Sequence, residues 1–186
     1  MLKTLIAVAF ASLTTAAIAA PVVLNQSQNQ TFDGQNFTFS FNGLSSAASG
    51  GTFILRARGD YDGATEEALS WNLEGVSSGG PVGGFVNGNG VGGPFDFATV
   101  YQPLGNIDFQ RTYTLTLAEL NAILADGSLT LDVDLDASVG LFDGPNFVEV
   151  TFLYDDIVGQ VPEPASIALL GLALAGLGAA RRTAKR

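Results

Sequence analysis

Leu131-Asp132-Val133-Asp134-Leu135-Asp136 alternates apolar and acidic residues without a break. A period of two puts every leucine and valine on one face of an extended strand and every aspartate on the other. The same alternation recurs on both sides of it. Phe37, Phe39 and Phe41 alternate with Thr38 and Ser40; Phe53, Leu55 and Ala57 with Ile54, Arg56 and Arg58; Leu69, Trp71 and Leu73 with Ser70, Asn72 and Glu74. Phe95 and Phe97 open a run ending near Tyr101, Phe109 to Leu115 forms another, and Val148, Val150, Phe152 and Tyr154 mark the last. Short strands are also expected near Val22 and at Phe85-Val86. Strands this short, separated by glycine clusters, predict an all-β, jelly-roll-like β-sandwich of about seven to nine strands. One segment departs from the pattern. Thr116 and Glu119 have capping-box spacing, and Leu117, Leu120 and Leu124 recur at helical spacing before Gly127. They predict one short helix over 117–125. The stretch from Ser77 to Pro94 is read as the longest loop.

The 186 residues hold no His and no Cys. The commonest general base, thiol nucleophiles, disulfides and finger-type zinc are therefore excluded. Between Ala20 and Gln160 there are 17 acids against Arg56, Arg58 and Arg111, which leaves fourteen negative charges and no lysine. Such a stretch repels phosphate backbones, so no nucleic-acid partner is expected. Twenty of the 23 glycines fall in it, about twice the usual density and consistent with many turns.

The two ends address the chain. Lys3, the apolar run from Leu5 to Leu13 and Ala17-Ile18-Ala19 predict a signal peptide over residues 1–19, a signal helix cut by signal peptidase after Ala19. At the other end Val161-Pro162-Glu163-Pro164 precedes sixteen uncharged residues, Ala165 to Ala180, and then Arg181, Arg182, Lys185 and Arg186. Sixteen helical residues rise about 24 Å, against a hydrocarbon core of about 30 Å. The reading is a slightly short transmembrane helix with its basic terminus held in the cytoplasm. The domain plan is then 1–19 signal peptide, 20–160 exported acidic domain and 161–186 tail.

Pro162-Glu163-Pro164, the short apolar helix and the basic terminus, in that order, resemble the PEP-CTERM sorting domain of Gram-negative bacteria. The resemblance covers Val161 to Arg186. It implies recognition and removal of the tail by exosortase, a membrane protease, in a host that makes exopolysaccharide. Pro162, Glu163 and Pro164 would be the recognition residues, and Arg181, Arg182, Lys185 and Arg186 the basic stop. The protein would be anchored transiently in the inner membrane through its C-terminal helix, and then pass to the cell surface or beyond.

In the acidic domain, Asp60, Asp62, Glu66 and Glu67 place four carboxylates within eight residues, beside Gly63. Calcium takes six to eight oxygens, often from Asp-x-Asp spacing beside a glycine turn. The plainer reading is an acidic turn shaped by Asp and Gly. Asp132, Asp134 and Asp136 could form part of a metal site with Asp143 near the next turn, but the favoured reading is a solvated strand face that also guards an edge. Gly88-Asn89-Gly90-Val91-Gly92-Gly93 has dinucleotide-fingerprint spacing, but Pro94 follows and no βαβ unit surrounds it. Tyr61 is the exposed aromatic best placed to stack on a sugar, whereas Trp71 belongs to the core. Together these features predict a non-enzymatic exported surface or matrix protein, structural or adhesive and associated with exopolysaccharide. A calcium-assisted carbohydrate-binding module is the alternative, and an extracellular hydrolase the third.

Overall fold

The computed structural model describes residues 19–63, 66–86, 89–101, 105–141, 144–157 and 171. Residues 19–157 form one compact unit, and residues 1–18 with 158–186 fall in a second. The expected signal peptide lies outside the described residues. So does the expected membrane helix, of which only Gly171 is described, in helical conformation. Among the described residues no helix is long and apolar enough to cross a membrane.

The compact unit is built from ten strands: β1 (Ala19–Asn29), β2 (Asn36–Asn42), β3 (Gly51–Asp60), β4 (Ala68–Leu73), β5 (Ser77–Val86), β6 (Asn89–Val91), β7 (Phe97–Tyr101), β8 (Asn106–Leu115), β9 (Ser128–Leu135) and β10 (Phe147–Ile157). They form two five-stranded antiparallel sheets, ordered β1-β10-β3-β8-β7 and β2-β9-β4-β5-β6. The chain changes sheet at each step from β1 to β4.

Alternation sets the register. Phe37, Phe39 and Phe41 lie opposite Val133, Leu131 and Leu129, all buried, while Thr38 and Asp132 face outward and hydrogen-bond at 2.7 Å. A slip of one residue would turn this whole row into water. The inner faces meet through aromatic rings. Phe53 of the first sheet sits 5.0 Å from Trp71 of the second, and Phe41 sits 5.8 Å from Phe152. Edge-on and offset rings at such separations are the favoured arrangements of aromatic pairs.

The two edge strands β1 and β2 are stitched together. The Gln26 and Gln28 side-chain amides donate to the Ser40 and Thr38 carbonyls at 2.9 and 2.8 Å. The bonds occupy carbonyls that an edge strand would otherwise offer to another chain.

The helix α1 (Leu117–Ile123) is shorter than expected and runs into a 3-10 turn over Leu124–Asp126. Both halves of the Thr116–Glu119 capping box are present, and Gly127 ends the turn at φ 78°. Leu120, Ile123 and Leu124 bury the apolar side of this segment. The larger correction concerns Ser77 to Pro94. It holds two strands, β5 and β6, rather than one long loop. Its glycines hide it from a pattern search because packing leaves no room for side chains: a Cβ at Gly79 would come 2.8 Å from the Trp71 indole, and one at Gly80 2.7 Å from Ser70.

Candidate functional site

β3 brings its odd-numbered residues inward, and the phase carries one residue past its end. Tyr61 is therefore buried, 1% exposed, with its ring edge-on to Phe109 at 5.0 Å. It cannot be the exposed stacking platform expected of it. Trp71 is in the core, 5% exposed, as expected. The buried Tyr61 anchors the loop that follows. Its carbonyl accepts from the Phe85 amide at 2.5 Å, and the Glu67 carbonyl accepts from the Gly84 amide at 2.9 Å. Both bonds fasten the loop to β5.

On this frame Asp60, Asp62 and Glu67 converge. Each offers one carboxylate oxygen to a group whose atoms lie within 4.8 Å of one another. The Gly63 amide donates to Glu67 Oε2 and turns that carboxylate toward the loop. Gly105, at φ +74°, leaves room for Asp62, since a Cβ there would overlap the Asp62 carboxylate. Glu66 does not join the group. Its side chain is exposed, and its carbonyl accepts from the Ser138 hydroxyl. Asp33, which carries no local signal in the sequence, bears on Asp60 from across Gly140: a Cβ at Gly140 would lie 3.4 Å from Asp60 Oδ2 and 3.7 Å from Asp33 Oδ1.

Crowding of like charges perturbs the group. Burial, then the charge of Asp62 and a carboxyl–carboxyl hydrogen bond with it, then the charge of Asp33, push Asp60 up to about 6. Burial also raises Glu67, against the Gly63 amide and with help from Asp60 and Asp62. A cation shared by the three carboxylates would relieve this repulsion.

The perturbation fixes a pH dependence. Asp60 takes up its proton near pH 6 when folded and near 4 when unfolded, so the folded state binds more protons between those values. Without divalent cations, stability should therefore rise as pH falls from 7 to 5. The shift alone would give about 3 kcal/mol, and solvent screening at this half-exposed site cuts that to about 1 kcal/mol. Asp96, Glu119, Asp126 and Asp136 are lowered by hydrogen bonds, from Thr112, Thr116, Ser128 and Ser138 respectively. Their contributions are lost only below the ordinary carboxylate range. Thermal melts in EDTA should peak near pH 5, and a midpoint that falls steadily from pH 7 to 5 would contradict this account.

Asp132 and Asp134 stand on the exposed face of β9, an interior strand and not the expected edge, and Asp136 is exposed just past its end. Asp136 accepts from the Ser138 amide and hydroxyl at 3.1 and 2.8 Å. None of the three belongs to the Asp60 group, and Asp143 lies outside the described residues. In the glycine run, Asn89–Val91 forms β6, and no helix opens after it.

Two of the domain's three arginines cover the outer face of the first sheet. Arg56 makes a two-pronged ion pair with Asp108, at 2.9 and 2.7 Å, and stacks on Phe97 and Phe147. Arg58 lies 4.3 Å over the Tyr101 ring and donates to Asn106 Oδ1.

Pro162, Glu163, Pro164 and the basic terminus lie outside the described residues, and the family comparison speaks for them. The family model for the PEP-CTERM protein-sorting motif matches residues 160–182. No curated protein and no solved structure matches the chain. The motif implies an exported, surface-directed protein processed by exosortase. With a β-sandwich over residues 19–157, the chain carries a PEP-CTERM protein-sorting motif at residues 160–182.

Proposed function

We propose that the protein is a non-enzymatic component of the cell surface or extracellular matrix, structural or adhesive in role and associated with exopolysaccharide. The sorting motif at residues 160–182 carries this reading, because it directs the domain out of the cell. The domain suits that destination. It is acidic and lysine-free, which favours solubility, and two of its edge strands, β1 and β2, are stitched together. With β6 and β7 set aside, the eight remaining strands pair as 1-8-3-6 and 2-7-4-5 in their own order. Two interleaved Greek keys of this kind support a jelly-roll reading.

Processing tests the proposal. The secreted protein should end near Val161 to Pro164, and mass spectrometry should find no peptide from Ala165 onward. Replacing Pro162, Glu163 and Pro164 together with Ala should leave the protein in the membrane fraction and reduce release to background. Recovery of intact tail from the medium would count against the proposal.

A second reading, a calcium-assisted carbohydrate-binding module, is favoured by the convergence of Asp60, Asp62 and Glu67 within 4.8 Å. Its first test is the calcium response argued in the Discussion.

A further inference from the structure

Where β5 faces β8, a cavity of about 340 Å³ opens between the sheets. Its size falls within the range of small-ligand sites. Trp71 and the Ser77–Pro81 stretch line it from one sheet, Arg111 and Tyr113 from the other. Glycine keeps it open, since any side chain at Gly79 would run into the Trp71 indole.

The polar groups lining it include two with donors to spare. Trp71 Nε1 and Tyr113 Oη are both buried; the indole N–H is directed at the Tyr113 oxygen, and the Tyr113 O–H has no acceptor. An unsatisfied buried donor is costly, so a native structure that keeps one on a cavity calls for an explanation. Arg111 lies 4.6 Å over the Tyr113 ring, and among the described residues no carboxylate is within 4 Å of it. Among the described residues it alone of the three arginines makes no ion pair or side-chain hydrogen bond, and Asp96 senses its charge only at longer range. Among the described residues no acidic side chain lines the cavity.

A single guanidinium beside the Tyr113 O–H and the Ser77 and Ser78 hydroxyls matches a ligand with one negative charge and several acceptor oxygens. The fourteen negative charges of the domain disfavour a dense polyanion. The Trp71 and Tyr113 rings, 4.8 Å apart and inclined at 67°, pack on each other and form the apolar wall of a cavity that admits one ring-sized ligand. The Ser77 and Ser78 hydroxyls beside them suit a ligand that carries hydroxyls of its own. We infer that this cavity binds one carboxylate-bearing sugar ring of the hexuronate class. Arg111 takes the carboxylate, and Tyr113 O–H donates to a ring or hydroxyl oxygen. The inference rests on the carbohydrate-binding reading for its ligand class, but not on calcium, because no residue of the acidic loop lines the cavity.

Trp71 is the only tryptophan of the chain, so its fluorescence reports on this cavity alone. The purified full-length chain, in EDTA, is titrated with glucuronate, glucose and acetate. Glucuronate should give a saturable change in emission at a concentration at least tenfold below that needed with glucose, and acetate should give none. R111Q should weaken the glucuronate response at least tenfold while the melting temperature stays at the wild-type value. No saturable response to glucuronate overturns the inference, as does an equal response to acetate or undiminished binding by R111Q. An equal response to glucose also overturns it, yet leaves the carbohydrate-binding reading standing. The three-ligand comparison uses the wild-type chain, so a misfolded variant does not remove the decision.

Discussion

Phe53→Ala should cost about 3–5 kcal/mol of folding stability, a large part of what a domain of this size possesses. Phe53 is 0% exposed and sits on β3, the middle strand of its sheet. Its ring stacks on Phe152 and Tyr113, both at 5.1 Å, and meets Trp71 edge-on at 5.0 Å. It therefore ties two strands of its own sheet to the opposite sheet. The cavity left by alanine would not close easily. Phe152 is the in-register partner of Phe53 across β10, and Tyr113 is its partner across β8. Both backbones are held by ladder hydrogen bonds, so the lining keeps its position and loses its contacts. In urea the midpoint should fall by about 2 M at an ordinary slope for a small domain. Phe97→Ala is the comparison. Phe97 is 38% exposed on the outer face and contributes a stacking contact to Arg56, so its loss should cost about 1 kcal/mol or less. Equal effects of the two substitutions would mean that the aromatic cluster does not hold the sheets together.

What the sequence discloses follows from where side chains alternate. Phe37 to Phe41 and Leu129 to Leu135 each bury one face and wet the other, so strand, face and register are all legible in them. Ser77 to Val86 carries no such signal. Its first half is serine and glycine because that backbone runs against Trp71 and Ser70, and close approach removes the side chains that a pattern needs. Tyr61 was open to a better reading. The inward phase of Phe53, Leu55, Ala57 and Gly59 reaches it directly, but the charges on either side suggested a solvated loop. Three of the four carboxylates expected to gather do so, because they flank a buried anchor. Asp33 joins them electrostatically through tertiary folding across 27 residues, and nothing local announces it. Arg111, Tyr113 and Trp71 likewise come together only through the packing of one sheet on the other.

Calcium should raise the melting temperature, and Asp62→Asn should abolish that rise. Without a cation, the Asp60, Asp62 and Glu67 oxygens crowd within 4.8 Å on a loop fastened to β5. Two carboxylates about 4 Å apart repel by roughly 1 kcal/mol in bulk water and by several-fold more near a protein surface. A divalent ion bound only to the folded state replaces that repulsion with attraction. At a hundred times its dissociation constant it stabilises by about 2.7 kcal/mol, or on the order of 8 °C for a domain of this length. Asp62→Asn removes one charge of the three and keeps the shape of the side chain beside Gly105. It should cost little in EDTA, and relief of repulsion on Asp60 should also flatten the rise in stability between pH 7 and 5. Saturating calcium should flatten the same rise in the wild type, because an ion on Asp60 opposes its protonation. The control is Asp134→Asn, on the exposed face of β9 and outside the group, which should leave the calcium response intact. If wild-type melts at low ionic strength are identical in calcium and EDTA, the three carboxylates form no calcium site. The rise from pH 7 to 5 should then persist in calcium, since it depends only on the burial of Asp60 and its crowding by its neighbours.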